Sequence, residues 1–178
     1  PNTSGLRDFH DEDALKKLLT KINEVREKSN FNKSFLLKVS PDLDSSQIPV
    51  IVKLILEYKI DGVILTNTTN KNRDNLKDPN SKEIGGLSGK PIRDLSTEFV
   101  KKFYRNLNGK IPIIGVGGID SGESAFEKIA AGASAVQLYT VLIYKGPNIV
   151  KNIKKDLIKI LNNKGFKNIN EAVGSSSH

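Results

Sequence analysis

The residues with the clearest capacity for chemistry lie between Ile111 and Gly122, where a short apolar run gives way to glycines and then to Asp-Ser-Gly. Glycine has no Cβ, so backbone N–H groups can approach an anion closely, and a helix that starts there directs its positive end to the same place. The segment from Gly132 to Thr140 repeats this plan, with polar residues after an apolar strand. Two adjacent strand ends of this kind predict a phosphate site. The alternative is that the glycines only allow close packing of helix on sheet.

Three further groups of polar or small residues are candidates for ligand contacts. Lys38 stands in the apolar run Phe35–Val39, where an amine is costly unless it is paired or faces a ligand, although an edge-strand lysine can also extend to solvent. Thr66–Thr69 can hydrogen-bond a planar polar ligand or form an Asx or Ser/Thr turn. Gly85–Gly89 can wrap backbone around a cofactor or form a flexible turn.

The composition excludes several classes of function. With 178 residues, 37% hydrophobic and 27% charged, the chain is typical of a globular protein that buries a core of its own. It has no cysteine and two distant histidines, so disulfides, a thiolate nucleophile and a metal site are not predicted. The net charge of +8 comes mostly from lysines on predicted helix surfaces without interleaved aromatics, so no nucleic-acid partner is expected. Asp42, Asp61 and Asp120 are assigned to cap and turn roles.

The elements that must position these residues alternate along the chain. Apolar periodicity predicts five helices. Four of them lie at about 11–28, 96–107, 122–131 and 147–163, and the remaining one begins after a cap at residue 44 or 45. Strands are predicted at 35–39, 62–66, 111–116 and 135–139. Near-continuous apolar strands between amphipathic helices indicate a parallel sheet whose faces are covered by helices. The polar segment 67–91 is longer than an ordinary connection, which is typical of a lid or a disordered loop.

Four strand–helix units form either a small open sheet or half of an eight-stranded barrel. The loops after strands seven and eight of such barrels commonly share one phosphate, and a full barrel needs roughly 250 residues. We therefore expect an α/β fold that is the C-terminal half of a TIM (β/α)8 barrel, with about four more strands before Pro1. Residues 1–173 are assigned to this single domain. The tail 174–178 is predicted to be a tag or linker remnant outside the fold.

Taken together, the motifs resemble the dihydroorotate dehydrogenase family. Single motifs are weak, but six in one order at compatible spacing are highly specific. The form Pro-Asn-Thr followed by Gly-Leu-Arg is similar to the quinone-dependent class 2 enzymes. The six segments are Pro1–Thr3 with Gly5–Arg7, Lys38 before Ser40–Asp42, Thr66–Thr69, Gly85–Gly89, Ile113–Ile119 and Val136–Thr140.

This resemblance implies an FMN enzyme that oxidises dihydroorotate to orotate in pyrimidine biosynthesis. A base removes a proton from substrate C5 while hydride passes from C6 to flavin N5, and a ubiquinone-type acceptor then reoxidises the flavin. The implied partners are dihydroorotate and orotate, the quinone and the N-terminal half of the same barrel. Peripheral membrane contact would come from an N-terminal segment outside this chain. The implied location is the bacterial cytoplasmic membrane or the mitochondrial inner membrane, depending on the source.

The family's functional residues carry over to matching positions. Lys38 would lie by the flavin N1 and O2 region, where its charge stabilises the reduced isoalloxazine. The serine that serves as catalytic base in class 2 enzymes would precede Pro1, so no catalytic base is expected in this chain. The remaining flavin contacts would be Thr66 and Gly89, with Gly117, Gly118, Tyr139 and Thr140 at the phosphate, and the substrate contacts would be Asn2, Asn67 and Thr68.

Two alternatives stay open from the sequence. One is another phosphate- or FMN-binding barrel enzyme with a different substrate. The other is a non-catalytic half-barrel module that binds phosphate or a partner protein, and an isolated fragment of the enzyme is itself expected to be inactive.

Overall fold

Four parallel strands form one sheet in the computed structural model, which describes residues 5–29, 33–71 and 73–177. The strands are β1 (Leu36–Val39), β2 (Gly62–Leu65), β3 (Ile113–Val116) and β4 (Ala135–Gln137). They lie side by side in chain order, with Lys38 opposite Ile64 and Gly115 opposite Val136. Strictly sequential order is the arrangement of a β/α barrel, whereas a doubly wound sheet reverses its order at a switch point.

Seven α-helices accompany the sheet in the described residues. None of them is long and apolar enough to span a membrane. The five predicted helices are all present, within three residues of their expected bounds. Two short helices and four 3-10 turns were not predicted, because segments of three to six residues are too short to show a helical period. The helices are α1 (Glu12–Lys28), α2 (Ile48–Glu57), α3 (Arg93–Leu107), α4 (Gly122–Ala130), α5 (Thr140–Lys145), α6 (Asn148–Asn163) and α7 (Ile169–Ala172), and the turns are Leu6–His10, Ser45–Gln47, Pro79–Lys82 and Lys90–Ile92.

The helix ends follow from their capping residues. Asp11 caps α1 by accepting a hydrogen bond from the Ala14 N–H at 3.0 Å. Asp44 starts a 3-10 turn that leads directly into α2, and its carboxylate accepts from the Ser46 N–H at 2.8 Å. Asn108 ends α3 in the left-handed conformation, with φ of 49°.

The core consists of two clusters. The larger lies between the sheet and helices α1 to α3, and Ile55, Val63 and Phe103 in it are fully buried. The smaller joins α4 to α6 through residues such as Ile129 and Ile153. Burial of each such side chain contributes about 1.5–3 kcal/mol, so the two clusters hold the sheet and its helices as one unit.

The outer strands are less buried than the sequence indicates. The apolar run containing β1 predicts a buried strand, yet Leu36 and Leu37 are half-buried and Lys38 is exposed. In β4, Ala135 and Gln137 are exposed. The reason is that β1 and β4 are the edge strands of the sheet formed by the described residues. Within the described part of the chain, only β2 and β3 have a strand on each side.

The C-terminal tail packs on the domain, in contrast with the expectation that 174–178 lies outside the fold. The N–H of Gly174 donates to the Ile129 carbonyl at 3.1 Å, and that of Ser176 to the Ala130 carbonyl at 2.9 Å. Ser177 is 5% exposed and donates to the Ala131 carbonyl. Backbone pairing of this kind ties the tail to the end of α4, and sequence composition alone could not reveal it.

Candidate functional site

A cleft of about 840 Å³ opens at the carboxyl ends of the four strands. Its walls come from β1, the segment after β2, the loop before α3, the loop after β3 and the start of α5. The carboxyl ends of parallel strands meet at one edge of a sheet, which is where ligands bind in α/β folds. The fold therefore brings four strand ends around a single space.

The predicted site residues lie around this one cleft. Asn2 lies outside the described residues. Tyr139 is 76% exposed at the rim, and Thr66 is 1% exposed at the base of the wall. The predicted residues that line the cleft are Lys38, Thr66, Asn67, Thr68, Gly89, Gly117, Gly118, Tyr139 and Thr140.

Thr66 carries the clearest structural sign of a missing polar partner. Its Oγ1 is buried and makes no hydrogen bond, the only such side-chain atom in the described part of the chain. The backbone fixes its position, since the Thr66 N–H donates to the Val116 carbonyl and the Asn67 N–H to the Val39 carbonyl. An unsatisfied buried hydroxyl costs about 1–3 kcal/mol. A polar ligand in the cleft would remove that cost.

The segment after β2 is held by Asp42, which follows β1. The carboxylate of Asp42 accepts hydrogen bonds from the Thr69 hydroxyl and from the Asn70 N–H, the latter at 3.0 Å. Lys71 Nζ donates to the Asp42 carbonyl at 3.2 Å. Asp42 thus anchors the segment that carries Asn67 and Thr68, beyond the turn role assigned from the sequence. Its place shortly after the end of β1, with Ser40 and Pro41 between, was the signal that could have indicated this.

The long loop between β2 and α3 is folded around Arg73. The Arg73 guanidinium donates to the Glu83 carbonyl at 2.7 Å and to the carbonyls of Ser81 and Gly85. Thr69 and Leu87 pair through two backbone hydrogen bonds. These contacts bring Ser88 and Gly89 to the cleft.

The rim after β4 meets this loop. Thr140 Oγ1 donates to Ser88 Oγ at 2.9 Å. Gly89 has a φ of 78°, and a Cβ there would lie 3.0 Å from Thr140 Cγ2. A side chain larger than hydrogen at position 89 would therefore strain the backbone and press on Thr140.

Gly117 and Gly118 line the cleft and also allow α3 to approach the sheet. Their φ angles are 117° and 72°. A Cβ on Gly118 would lie 2.6 Å from the Arg93 Cα, and one on Gly117 would lie 2.9 Å from the Ser96 Cβ. The packing explanation for these glycines is thus present in the structure. It does not compete with a phosphate role, because both glycines also line the cleft.

Arg93, at the first position of α3, binds the loop after β3. Its Nε donates to the Gly118 carbonyl at 2.9 Å, and its Nη2 forms an ion pair with Asp120. Lys145 Nζ donates to the Asp120 carbonyl. Asp120 therefore has an ion-pairing role as well as its turn position.

Helix α4 begins beside this loop with Ser121 as its cap, whose Oγ accepts from the Ser124 N–H. The pKa of the exposed Glu123 carboxyl lies below its ordinary value because its own backbone N–H and the Ser121 hydroxyl donate to it. A carboxylate is favoured at this helix end for the same reason that an anion is. Among the described residues, no group of three or more His, Cys, Asp and Glu side chains is placed to hold a metal ion.

A model of the dihydroorotate dehydrogenase family matches residues 1–161. The chain belongs to this family. It is 46% identical to the dihydroorotate dehydrogenase (quinone) of Trichodesmium erythraeum and 44% identical to the mitochondrial enzyme of that name from Mus musculus. In each comparison 98% of the chain is covered, against 47% and 45% of the relative, so the chain spans about half the length of these relatives.

Solved structures agree with this assignment. The ligand-free dihydroorotate dehydrogenase of Eimeria tenella matches with a TM-score of 0.93 and 35% identity, over 99% of this chain and 53% of that one. The complex of the same enzyme with ferulenol matches with a TM-score of 0.89. The fold is therefore the expected α/β fold, corresponding to part of a TIM barrel.

Proposed function

We propose that the chain forms the FMN-binding and part of the substrate-binding wall of a quinone-dependent dihydroorotate dehydrogenase, which oxidises dihydroorotate to orotate. The observation that carries this proposal is the convergence of nine predicted ligand-binding residues on one cleft. Membership of the family and the quinone-dependent names of the relatives support the choice of substrate and electron acceptor.

The unsatisfied Thr66 hydroxyl fits a polar cofactor in this cleft. We assign Thr66 and Gly89 to flavin contacts and the backbone of Gly117, Gly118, Tyr139 and Thr140 to the phosphate. FMN, when bound, supplies a hydride acceptor for the substrate C6. The glycine loop and the start of α4 would hold the anionic end of the cofactor.

Lys38 provides positive charge on β1, which β2 separates from β3 and its glycine loop. The exposed side chain of Lys38 is free to reach into the cleft it lines. An ammonium near the flavin N1 and O2 stabilises negative charge that develops on the ring system during hydride transfer.

Asn67 and Thr68 would orient the substrate. Their amide and hydroxyl groups can hydrogen-bond its carboxylate and ring amides, and fixed orientation lowers the barrier by removing rotational freedom in advance. The anchoring of this segment by Asp42 holds both residues in place. Asn2 is assigned to the same substrate contacts, and no residue of this chain is assigned as the base that takes the proton from C5.

The proposal is tested by flavin analysis and steady-state kinetics of the full-length protein. We expect bound FMN and dihydroorotate-dependent quinone reduction, and we expect Lys38→Met to lower the rate by about a hundredfold or more, as for loss of one charge-stabilising group. The matched control is Lys53→Met, because Lys53 is exposed on α2 and does not line the cleft.

Three results would speak against the proposal. A protein without FMN contradicts the cofactor assignment. A flavoprotein that does not turn over dihydroorotate would instead be another FMN barrel enzyme. Equal rates for Lys38→Met and the wild type would remove Lys38 from the chemistry.

A further inference from the structure

Lys128, on α4, is a fully buried lysine that does not line the cleft. Lysine is almost never fully buried unless it is paired, so its position calls for a specific partner set. Burial lowers the pKa of its amine from 10.5 to about 7. It stands on the buried stripe of α4 with Ala125 and Ile129.

The Lys128 amine faces three oxygen acceptors on α3. Its Nζ lies 2.7 Å from Thr97 Oγ1, 2.9 Å from Ser96 Oγ and 3.2 Å from the Arg93 carbonyl. An ammonium group has three donors, so the three acceptors satisfy it completely. The contact ties the last turn of α4 to the first turns of α3.

This contact continues to the wall of the cleft. The Ser96 hydroxyl, which accepts from Lys128, donates to the carbonyl of Val116 at the end of β3. The next two residues are Gly117 and Gly118, and the Gly118 carbonyl accepts from Arg93. A relay of two hydrogen bonds therefore runs from the Lys128 ammonium to the loop that lines the cleft.

The stem of Lys128 also shapes β3 at Gly115. A Cβ on Gly115 would overlap the Lys128 Cγ. The strand thus has room for the lysine stem only because glycine stands there. The close approach of the Lys128 side chain to β3, together with the hydrogen bonds of its ammonium group to α3, fixes where α3 meets the end of β3.

We propose that Lys128 is a positioning residue for the loop 116–120, holding it through Ser96 in the shape that binds a phosphate monoester. Because FMN is the ligand of the proposed function, the choice of probe rests on that function. Lys128 itself touches neither the cleft nor its ligand. We expect its effect mainly at the phosphate end, because the relay ends beside Gly117 and Gly118; its one link toward the ring end among the described residues is the Thr66 N–H, which donates to the same Val116 carbonyl.

The test compares FMN with riboflavin, which has the same ring system without the phosphate. In the full-length protein, stripped of flavin, we expect Lys128→Met to weaken FMN binding about tenfold or more, as for the loss of a hydrogen bond from a charged group. Riboflavin affinity should change by less than about twofold, which is below 0.5 kcal/mol. Lys155→Met is the control, since Lys155 is exposed on α6.

Ser96→Ala provides a second, milder variant. It removes the hydroxyl between Lys128 and the Val116 carbonyl while keeping the lysine, and should also weaken FMN more than riboflavin. Equal losses for both flavins, or an unchanged FMN affinity in both variants, would overturn the positioning role while leaving the proposed function intact. If the wild type binds neither flavin, the proposed function and the positioning role are both overturned.

Discussion

Buried polar side chains define the site more sharply than the exposed ones do. Thr66 presents a buried hydroxyl without a partner, whereas Lys128 is buried with all its donors satisfied. The first fits a ligand that the cleft would receive, and the second fits a permanent structural contact. Lys38, in contrast, is exposed, and it lines the cleft because β1 ends there.

The lowered pKa of Lys128 makes the stability of the protein depend on pH. Its value of about 7 in the fold lies below the ordinary 10.5, mainly because burial disfavours the charge; Arg93 lowers it further, while Glu127 and Asp94 oppose the shift. Between these values the unfolded chain binds a proton that the folded chain does not. The free energy of unfolding therefore rises as pH increases through this window, by up to about 1.4 kcal/mol per pH unit. The cost of burying the charged amine is fully present below about pH 7.

Urea unfolding of the wild type and Lys128→Met at about pH 6 to 9 measures this effect. The difference in unfolding free energy, wild type minus variant, should increase with pH above about 7. Subtracting the variant removes the contribution of the other titrating groups. Parallel pH curves for the two proteins would show that Lys128 keeps an ordinary pKa.

The residue-scale assignments show what a sequence can and cannot reveal. Lys38, Asn67, Gly117 and Thr140 could be grouped because each stands at or near the carboxyl end of a predicted parallel strand. The contacts of Asp42 with Thr69 and of Lys128 with Ser96 join residues 27 and 32 positions apart. Such contacts depend on tertiary packing and leave no periodic trace.

At the scale of elements, the loop after β3 is the most constrained part of the site. The first turn of α3 packs closely against its glycines, and the Arg93 guanidinium donates to the Gly118 carbonyl. The loop then leads directly into Ser121, the cap of α4. The helices of nine residues or more were predictable because their apolar stripes run for about two and a half turns or longer. The short α5 at the cleft rim was not, and the edge position of β1 and β4 depends on pairing that a single strand does not encode.

Replacing Gly118 tests this constraint against a matched glycine. Gly118 and Gly109 have nearly equal φ angles of 72° and 71°, but a Cβ on Gly109 meets nothing within 4 Å. We expect Gly109→Ala to lower the free energy of unfolding by about 1–2 kcal/mol, the cost of left-handed backbone alone. Gly118→Ala should cost about 1–3 kcal/mol more, because its methyl group overlaps the Arg93 backbone.

Chemical denaturation of the two variants provides the measurement. Equal losses of stability would mean that α3 moves away from the loop at little cost. The contact between α3 and the end of β3 would then not constrain the shape of the cleft.

At the scale of the whole molecule, the described residues form four consecutive strand–helix units with the site along one edge. This architecture followed from alternating apolar runs and amphipathic helices, and the structural relatives confirm it. The packing of the tail could not be predicted from the sequence, because a Ser-rich composition is found both in linkers and in segments that pair with a helix end. Ser177 accepts a hydrogen bond from Arg105 as well as donating to Ala131.

Truncation after Val173 tests the contribution of the tail. It removes hydrogen bonds of Gly174, Ser176 and Ser177 to the α4 end, each worth about 0.5–1.5 kcal/mol net, and should lower Tm by several degrees. Ser175→Ala is the control, because Ser175 is exposed and should leave Tm unchanged. A truncated protein that melts at the wild-type temperature would show that the tail adds no stability.

The most direct test of the proposed enzyme is a single turnover followed by flavin absorption. Dihydroorotate is added without oxygen to the full-length protein, and a ubiquinone analogue is added afterwards. The proposed function predicts that the visible flavin absorption is lost on the first addition and returns on the second, with one orotate formed per flavin. A protein that carries no flavin, or whose flavin absorption does not change with dihydroorotate, would contradict it.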